Sequence, residues 1–437
     1  MSSIVAARAP WAAGIALALA LIVASASARA AEPSPAERRI EEARRTIAAQ
    51  PDSPEGYNAL AMAYARRARE TSDVEFYRRA DEAVAASLAR APDDFEARKA
   101  RVWIALGKHE YARALEEARE LNRRMPDDVL VYGYLTDAAV ELGAYEEAER
   151  AAQWMLDLRP GNVAGLTRAA YLRELFGDPE GAVELMEKAY QRTPAGERED
   201  RAWITVHLAH LQLAQGKLAL AEQSLDHAFA LFPDYHYAVA LLAQLRTQQR
   251  RFDESVQARR RHVALAPHPE NLYELGVALV QAGQRGAAQP IFADFERRAQ
   301  AEAQSADNAN RQLAYYYVDH ARAPRRGLEI AELEAARRQD VYTLQTLAWA
   351  LSANGRHADA RRTIDRALAV GVRDAAMLYR AGVIAQRSGD RAAAARWFAQ
   401  SLEINPRSEL ATAARRAMAS AAPLRAPSLP VEAAARR

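Results

Sequence analysis

Apolar residues run through the chain in short helical stretches, and the stretches themselves repeat. The clearest one places Met377, Leu378, Tyr379, Ala381 and Gly382 on a first helix and Gly389-Asp390 in a turn. Ala394, Phe398 and Ser401 follow on a second helix, with Pro406 beyond it. A small residue opens the second helix of each recurrence: Ala112, Ala148, Ala182, Ala221, Ala288, Ala360 and Ala394. A helix-ending Gly stands a few residues upstream, at Gly107, Gly143, Gly177, Gly216, Gly283, Gly355 and Gly389. Pro160, Pro194, Pro233, Pro267 and Pro406 separate one stretch from the next. Gly ends a helix by taking the left-handed conformation, and the residue before Pro is pushed out of the helical region. The pattern predicts helix hairpins starting near residues 54, 93, 129, 163, 202, 236, 269, 307, 341 and 375.

A two-helix hairpin cannot bury its own apolar stripe, so neighbours must stack into a continuous array, here 54–407. Within 31–53, Ala36 to Gln50 reads as a lone helix. Ser408 to Ala419, within 408–421, reads as a helix capping the last apolar face, and 422–437 as a disordered tail. Thr71 to Tyr77 and Ala195 to Arg201 read as extensions of the first and fifth hairpins. The eighth hairpin is the most degenerate, with Pro324-Arg325-Arg326-Gly327 in its turn and an expected change of curvature there.

Composition agrees with an all-α fold: about a quarter of the 437 residues are Ala, aromatics are 7%, and Gly and Pro number 19 each. There is no Cys, which excludes disulfides, thiolate metal sites and a thiol nucleophile. At the front, Arg8 precedes the charge-free run Ala12 to Ala24, and small residues follow through Ala31. This is the pattern of a secretory signal peptide, assigned to 1–30, and implies a soluble protein in the periplasm or outside the cell. Without residues 1–30 the formal charge of +2 falls to zero, so no general nucleic-acid binder is expected.

The ordered set of bulky, Leu, Gly/Ala and aromatic positions on the first helix, then Ala, Phe, Ala and Pro on the second, resembles the tetratricopeptide repeat. The likeness spans about residues 36 to 420, and Asp340 to Pro406 resembles the last units of exported bacterial members. It implies a right-handed α-solenoid of about ten hairpins, whose concave groove, lined by first helices, takes a protein or peptide. Carried onto this chain, the family's groove positions are Arg98, Arg101, Tyr134, Asp137, Arg168, Tyr171, Trp203, His207 and His210. Further along they are Tyr237, Gln244, Tyr273, Glu274, Arg311, Tyr315, Tyr342, Gln345, Trp349, Tyr379 and Arg380. The family's carboxylate clamp needs paired Lys and Asn, but Lys occurs only at 99, 108, 188 and 217.

His207 and His210 share a helix face and are two candidate metal ligands, with no third apparent. Arg259-Arg260-Arg261-His262 reads as a solvated helical face. No nucleophile elbow, phosphate loop, dinucleotide loop or zinc-protease motif occurs, and no cofactor or catalytic residue is assigned. The sequence therefore points to a non-enzymatic exported scaffold or adaptor that assists assembly of an envelope complex. A glycan-binding accessory of polysaccharide export or the cell wall is one alternative, and a metal-handling protein using His207 and His210 is another.

Overall fold

The computed structural model describes residues 33–421; the segment 1–30, read from sequence as a signal peptide, and the tail 422–437 lie outside the described residues. Among the described residues there are 22 α-helices and no strand. α1 (Pro35–Ala49) stands before ten helix pairs. The first five are α2 (Pro54–Thr71) with α3 (Glu75–Arg90), α4 (Phe95–Gly107) with α5 (Tyr111–Arg124), α6 (Val129–Glu141) with α7 (Tyr145–Leu158), α8 (Val163–Leu175) with α9 (Pro179–Arg192), and α10 (Arg198–Ala214) with α11 (Leu218–Leu231). The other five are α12 (His236–Gln248) with α13 (Phe252–Leu265), α14 (Pro269–Gln281) with α15 (Arg285–Glu302), α16 (Asn310–Tyr315) with α17 (Pro324–Ala335), α18 (Val341–Ala353) with α19 (His357–Leu368), and α20 (Ala375–Arg387) with α21 (Arg391–Ile404). α22 (Ala411–Ala421) follows. None of these helices is long and apolar enough to cross a membrane.

Local chemistry sets the helix ends. Side-chain oxygens of Ser53, Asp94, Asp128, Asn162, Asp340 and Asp374 accept from N–H groups of the first turn that follows them. Gly143 and Gly177 reverse the chain with φ of 75° and 83°. In the second pair the reversal falls instead on His109, with φ 59°, and Gly107 is the last residue of α4. Small residues let each pair close: Ala114, Ala148, Ala182, Ala221, Ala360 and Ala394 are fully buried. The buried residue of the second pair is Ala114; Ala112 is exposed. At the eighth pair the first helix breaks into a π turn, Tyr316–His320. Pro324 to Gly327 then form the opening turn of α17 and not the hairpin turn, because Pro is favoured at the start of a helix.

The array coils tightly enough for its second superhelical turn to rest on its first. Beside the turn that follows α6, the Tyr145 hydroxyl accepts the N–H of Val341 at 2.9 Å. The turn after α8 lies against the linker before α20, where a Cβ on Gly177 would stand 2.5 Å from the Gly371 carbonyl oxygen. Beyond α21, Asn405 donates from Nδ2 to the Leu213 carbonyl in α10 at 2.9 Å. The first two contacts join pairs six apart, and the third joins the fifth pair to the chain leaving the tenth, so one superhelical turn holds about six hairpins. Leu135 and Leu175 of the first turn accordingly share one apolar core with Leu344 and Ile384 of the second.

The N-terminal end closes differently. Arg66 pairs with Glu197 and Asp200 at 3.0 Å each, and Arg69 pairs with Asp200 at 2.6 Å and with Glu199. Glu199 is wholly buried and also accepts the Tyr235 hydroxyl at 2.6 Å. Next to this network, His236 donates from Nε2 to the Arg69 carbonyl at 3.0 Å.

Candidate functional site

Closure leaves a hollow inside the coil. One chamber of about 550 Å³ is walled by α2, α4, α6, α8, α9 and α10, with Trp103, Tyr171 and Trp203 as its aromatic faces. A second chamber of about 480 Å³ lies between α2 and α4 on one side and α12 to α14 on the other. Arg69 and Trp103 line both, so the two chambers adjoin.

Charge in the first chamber is compensated from within the protein. Arg168 reaches Asp137 at 2.5 Å and donates from Nε to the Gly133 carbonyl at 3.0 Å. Burial holds the Asp137 carboxyl above its ordinary range despite that arginine. Glu141 is likewise raised by burial, with Arg338 as its ion-pair partner. His207 donates from Nδ1 to the Trp203 carbonyl at 2.9 Å, and its ring lies 3.8 Å from the Trp203 ring. Burial pushes this imidazole down to about 4, so it is neutral at pH 7. The chamber thus presents flat aromatic surface, a neutral imidazole and charges already paired.

Two tetratricopeptide-repeat family models match the chain, one over residues 175–245 and the other over 135–197 and again over 346–409. These matches fall on α6 to α12 and on α18 to α21. Over these residues the chain carries tetratricopeptide repeats. Solved structures similar to it include MamA, at 20% identity over 41% of this chain and 96% of that one, with a TM-score of 0.31. The type IV pilus biogenesis factor PilW is similar at 15% identity over 47% of this chain and 92% of that one, with a TM-score of 0.37. The human IFIT1 dimer with PPP-AAAA is similar at 12% identity over 85% of this chain and 96% of that one, with a TM-score of 0.46. No curated protein is similar to the chain in sequence. The repeats support a scaffold for protein–protein contact.

Among the groove positions, Asp137, Arg168, Tyr171, Trp203 and His207 come together in the first chamber, and Tyr237 lines the second. His210 and Tyr342 line a separate hollow of about 240 Å³, where His210 pairs with Glu174 at 2.8 Å. Burial works against a charged His210, but the Glu174 carboxylate outweighs it and raises the imidazole above its usual value. The two histidines therefore serve different hollows. Among the described residues no group of three His, Asp or Glu side chains is arranged to hold a metal ion, so the metal-handling alternative lacks its remaining ligand.

Other positions are engaged elsewhere. Tyr134 and Tyr273 are buried in the core, the latter against Phe292 and Phe295, and Tyr379 packs on Phe398. Glu274 pairs with Arg259 at 3.1 Å, and Gln244 lines neither chamber. Arg311 reaches Asp340 at 3.8 Å. Tyr315, Gln345, Trp349 and Arg380 form a cluster in the second turn: Gln345 reaches the Tyr315 hydroxyl at 3.2 Å, and Arg380 lies 4.5 Å over the Tyr315 ring. The Trp349 indole N–H donates to Asp319 at 2.9 Å.

Arg98 and Arg101 face acids of their own hairpin, Glu120 and Glu117. The cause is a register slip, since α4 begins at Phe95, two residues beyond the start near 93. Aligning on the buried Ala114 rather than on Ala112 moves the groove position from Arg101 to Trp103, which lines both chambers. Glu141 stands one turn beyond Asp137 on α6 and Asp200 one turn before Trp203 on α10, so helical spacing could have found both, whereas Arg69 of α2 carried no comparable signal.

Proposed function

We propose that this protein is an exported scaffold that holds a segment of a protein partner in the 550 Å³ chamber and assists assembly of an envelope complex. The reading is carried by the three aromatic faces, Trp103, Tyr171 and Trp203, gathered around ion pairs that need no ligand charge. Trp and Tyr give large contact area at low entropy cost, and a site with satisfied charges favours an uncharged stretch of chain over a charged terminus. Export rests on the arginine, the charge-free run and the small residues within 1–30.

Crosslinking in the native envelope, followed by mass spectrometry, tests the reading. It predicts an envelope protein crosslinked beside the chamber, and a loss of at least about tenfold in its affinity on Trp203→Ala. Recovery of cytosolic proteins alone contradicts it. Glycan binding is the second reading, favoured by the same aromatic faces. A glycan array that loses signal on Trp203→Ala, with no protein captured, would put it first.

A further inference from the structure

The second chamber carries chemistry that the peptide reading does not use. Two of its imidazoles, His236 and His262, are disfavoured as cations by burial and offer lone pairs. His262 is only 6% exposed, and its Nδ1 has no hydrogen-bond partner. Burial, with Arg259 adding to it, pushes this imidazole down to about 3. The His236 ring lies parallel to it at 6.4 Å. Because Nε2 of His236 donates to the Arg69 carbonyl, its Nδ1 is the acceptor in the neutral ring.

The carboxylates point the same way. Glu270 lines the chamber half-buried, and among the described residues no Lys or Arg pairs with it. The groups that face it are His268, His109 and Asp307. Asp307 lies 3.0 Å from His109. The one cation in the wall, Arg69, is already held by Glu199 and Asp200. Asn271, a possible donor, spends its amide on the Ala266 carbonyl. The chamber therefore sets an unpaired carboxylate and imidazole acceptors beside the aromatic rings of Trp103 and Tyr237, with the Tyr77 and Tyr237 hydroxyls and the Trp103 indole N–H as its neutral donors.

A ligand that satisfies the carboxylate and the imidazole acceptors brings N–H donors and positive charge. A guanidinium or an alkylammonium does so, and either is attracted to aromatic faces in a desolvated site. We infer that the chamber between α2, α4 and α12 to α14 is a binding site for an organic cation. Glu270 neutralises it, His262 and His236 accept its N–H groups, and Trp103 and Tyr237 cover its faces. The cation has two sources: a basic side chain of a bound protein, or a free polyamine. The site stands independently of the first chamber, since the cation can bind with that chamber empty.

Calorimetry on the full chain tests this with three probes: acetyl-Gly-Arg-Gly-amide, its Gln counterpart and spermidine. Saturable binding of the arginine peptide but not the glutamine peptide assigns the site to a basic side chain, and binding of spermidine alone assigns it to a free polyamine. In either case Glu270→Gln lowers affinity at least tenfold and His262→Leu lowers it severalfold. As a check free of folding effects, the bound probe protects Glu270 of the unmodified chain from carbodiimide labelling. No saturable heat with either cation overturns the inference. So does binding that leaves Glu270 open to labelling or survives both substitutions in folded protein.

Discussion

At the N-terminal seam α2 meets α10 through charge, whereas at the later seam the turns after α6, α8 and α10 meet second-turn linkers mainly through backbone, with the ion pair of Arg338 and Glu141 beside them. The first seam uses Arg66 and Arg69 against the buried Glu199 and half-buried Asp200. The second uses close approach, with Gly177 against the Gly371 carbonyl and Asn405 on the Leu213 carbonyl. Both hold one turn of the coil on the next, yet they fail in different ways. A desolvated ion network is sensitive to loss of one partner, because the other charge stays buried. A backbone contact is insensitive to charge and sensitive to a single added methyl group.

The largest effect is expected from Glu199→Ala, which takes a buried carboxylate from Arg66 and Arg69, leaves them only Glu197 and Asp200, and removes the acceptor of Tyr235. Breaking a buried pair in this way costs about 3 kcal/mol or more, read as a lower urea midpoint. A variant as stable as the parent would show that the charged seam contributes little.

Gly177→Ala comes next. It forces an L-residue to φ 83° and drives its Cβ into the Gly371 carbonyl, for roughly 2 to 4 kcal/mol in total. Gly389→Ala has the same φ of 83° but no atom within 4 Å of the new Cβ. It should lose only the strain, about 1 to 2 kcal/mol. Equal losses at the two positions would mean that the second seam does not form.

Acid should loosen the structure in two stages. His262 and His207 are pushed down by burial to about 3 and about 4. Unfolded imidazoles take up protons near 6.5, so the unfolded chain binds more protons than the native one below that pH, and stability falls as pH drops from there. Burial pushes the Asp200 carboxyl up, but Arg69 and Arg66 outweigh it and hold the group below its ordinary range. Its contribution is complete above about pH 4 and is lost as pH falls through the lowered value. His262→Phe should flatten the first stage and leave the second, as followed by thermal unfolding from pH 7 to pH 3.

Most of the fold is local and could be read from the order of residues. Asp128, Asn162, Asp340 and Asp374 cap helices, Gly143 and Gly177 reverse them, and buried Ala sets their spacing. The chamber was legible where the register was right, as at Arg168, Tyr171, Trp203 and His207. At α4 a neighbouring Ala captured the alignment, and Trp103 was passed over for Arg98 and Arg101. The seams had no signature at all. Arg69 and Asp200 are 131 positions apart, and what joins them is the pitch of the whole coil.

That pitch is the central claim, and one engineered disulfide tests it. The chain has no cysteine, so Gly143→Cys with Gln339→Cys creates the only pair. A Cβ on Gly143 would stand 3.1 Å from the Gln339 Cβ and 2.6 Å from the Gln339 carbonyl oxygen, so the linker must move out by less than about 1 Å to reach the spacing of about 3.8 Å that a disulfide takes. The account predicts an intramolecular bond across 196 positions, formed in dilute, air-oxidised, folded protein and read by intact mass and non-reducing electrophoresis. A helical, folded double variant that keeps both thiols free under those conditions would show that the two turns do not touch.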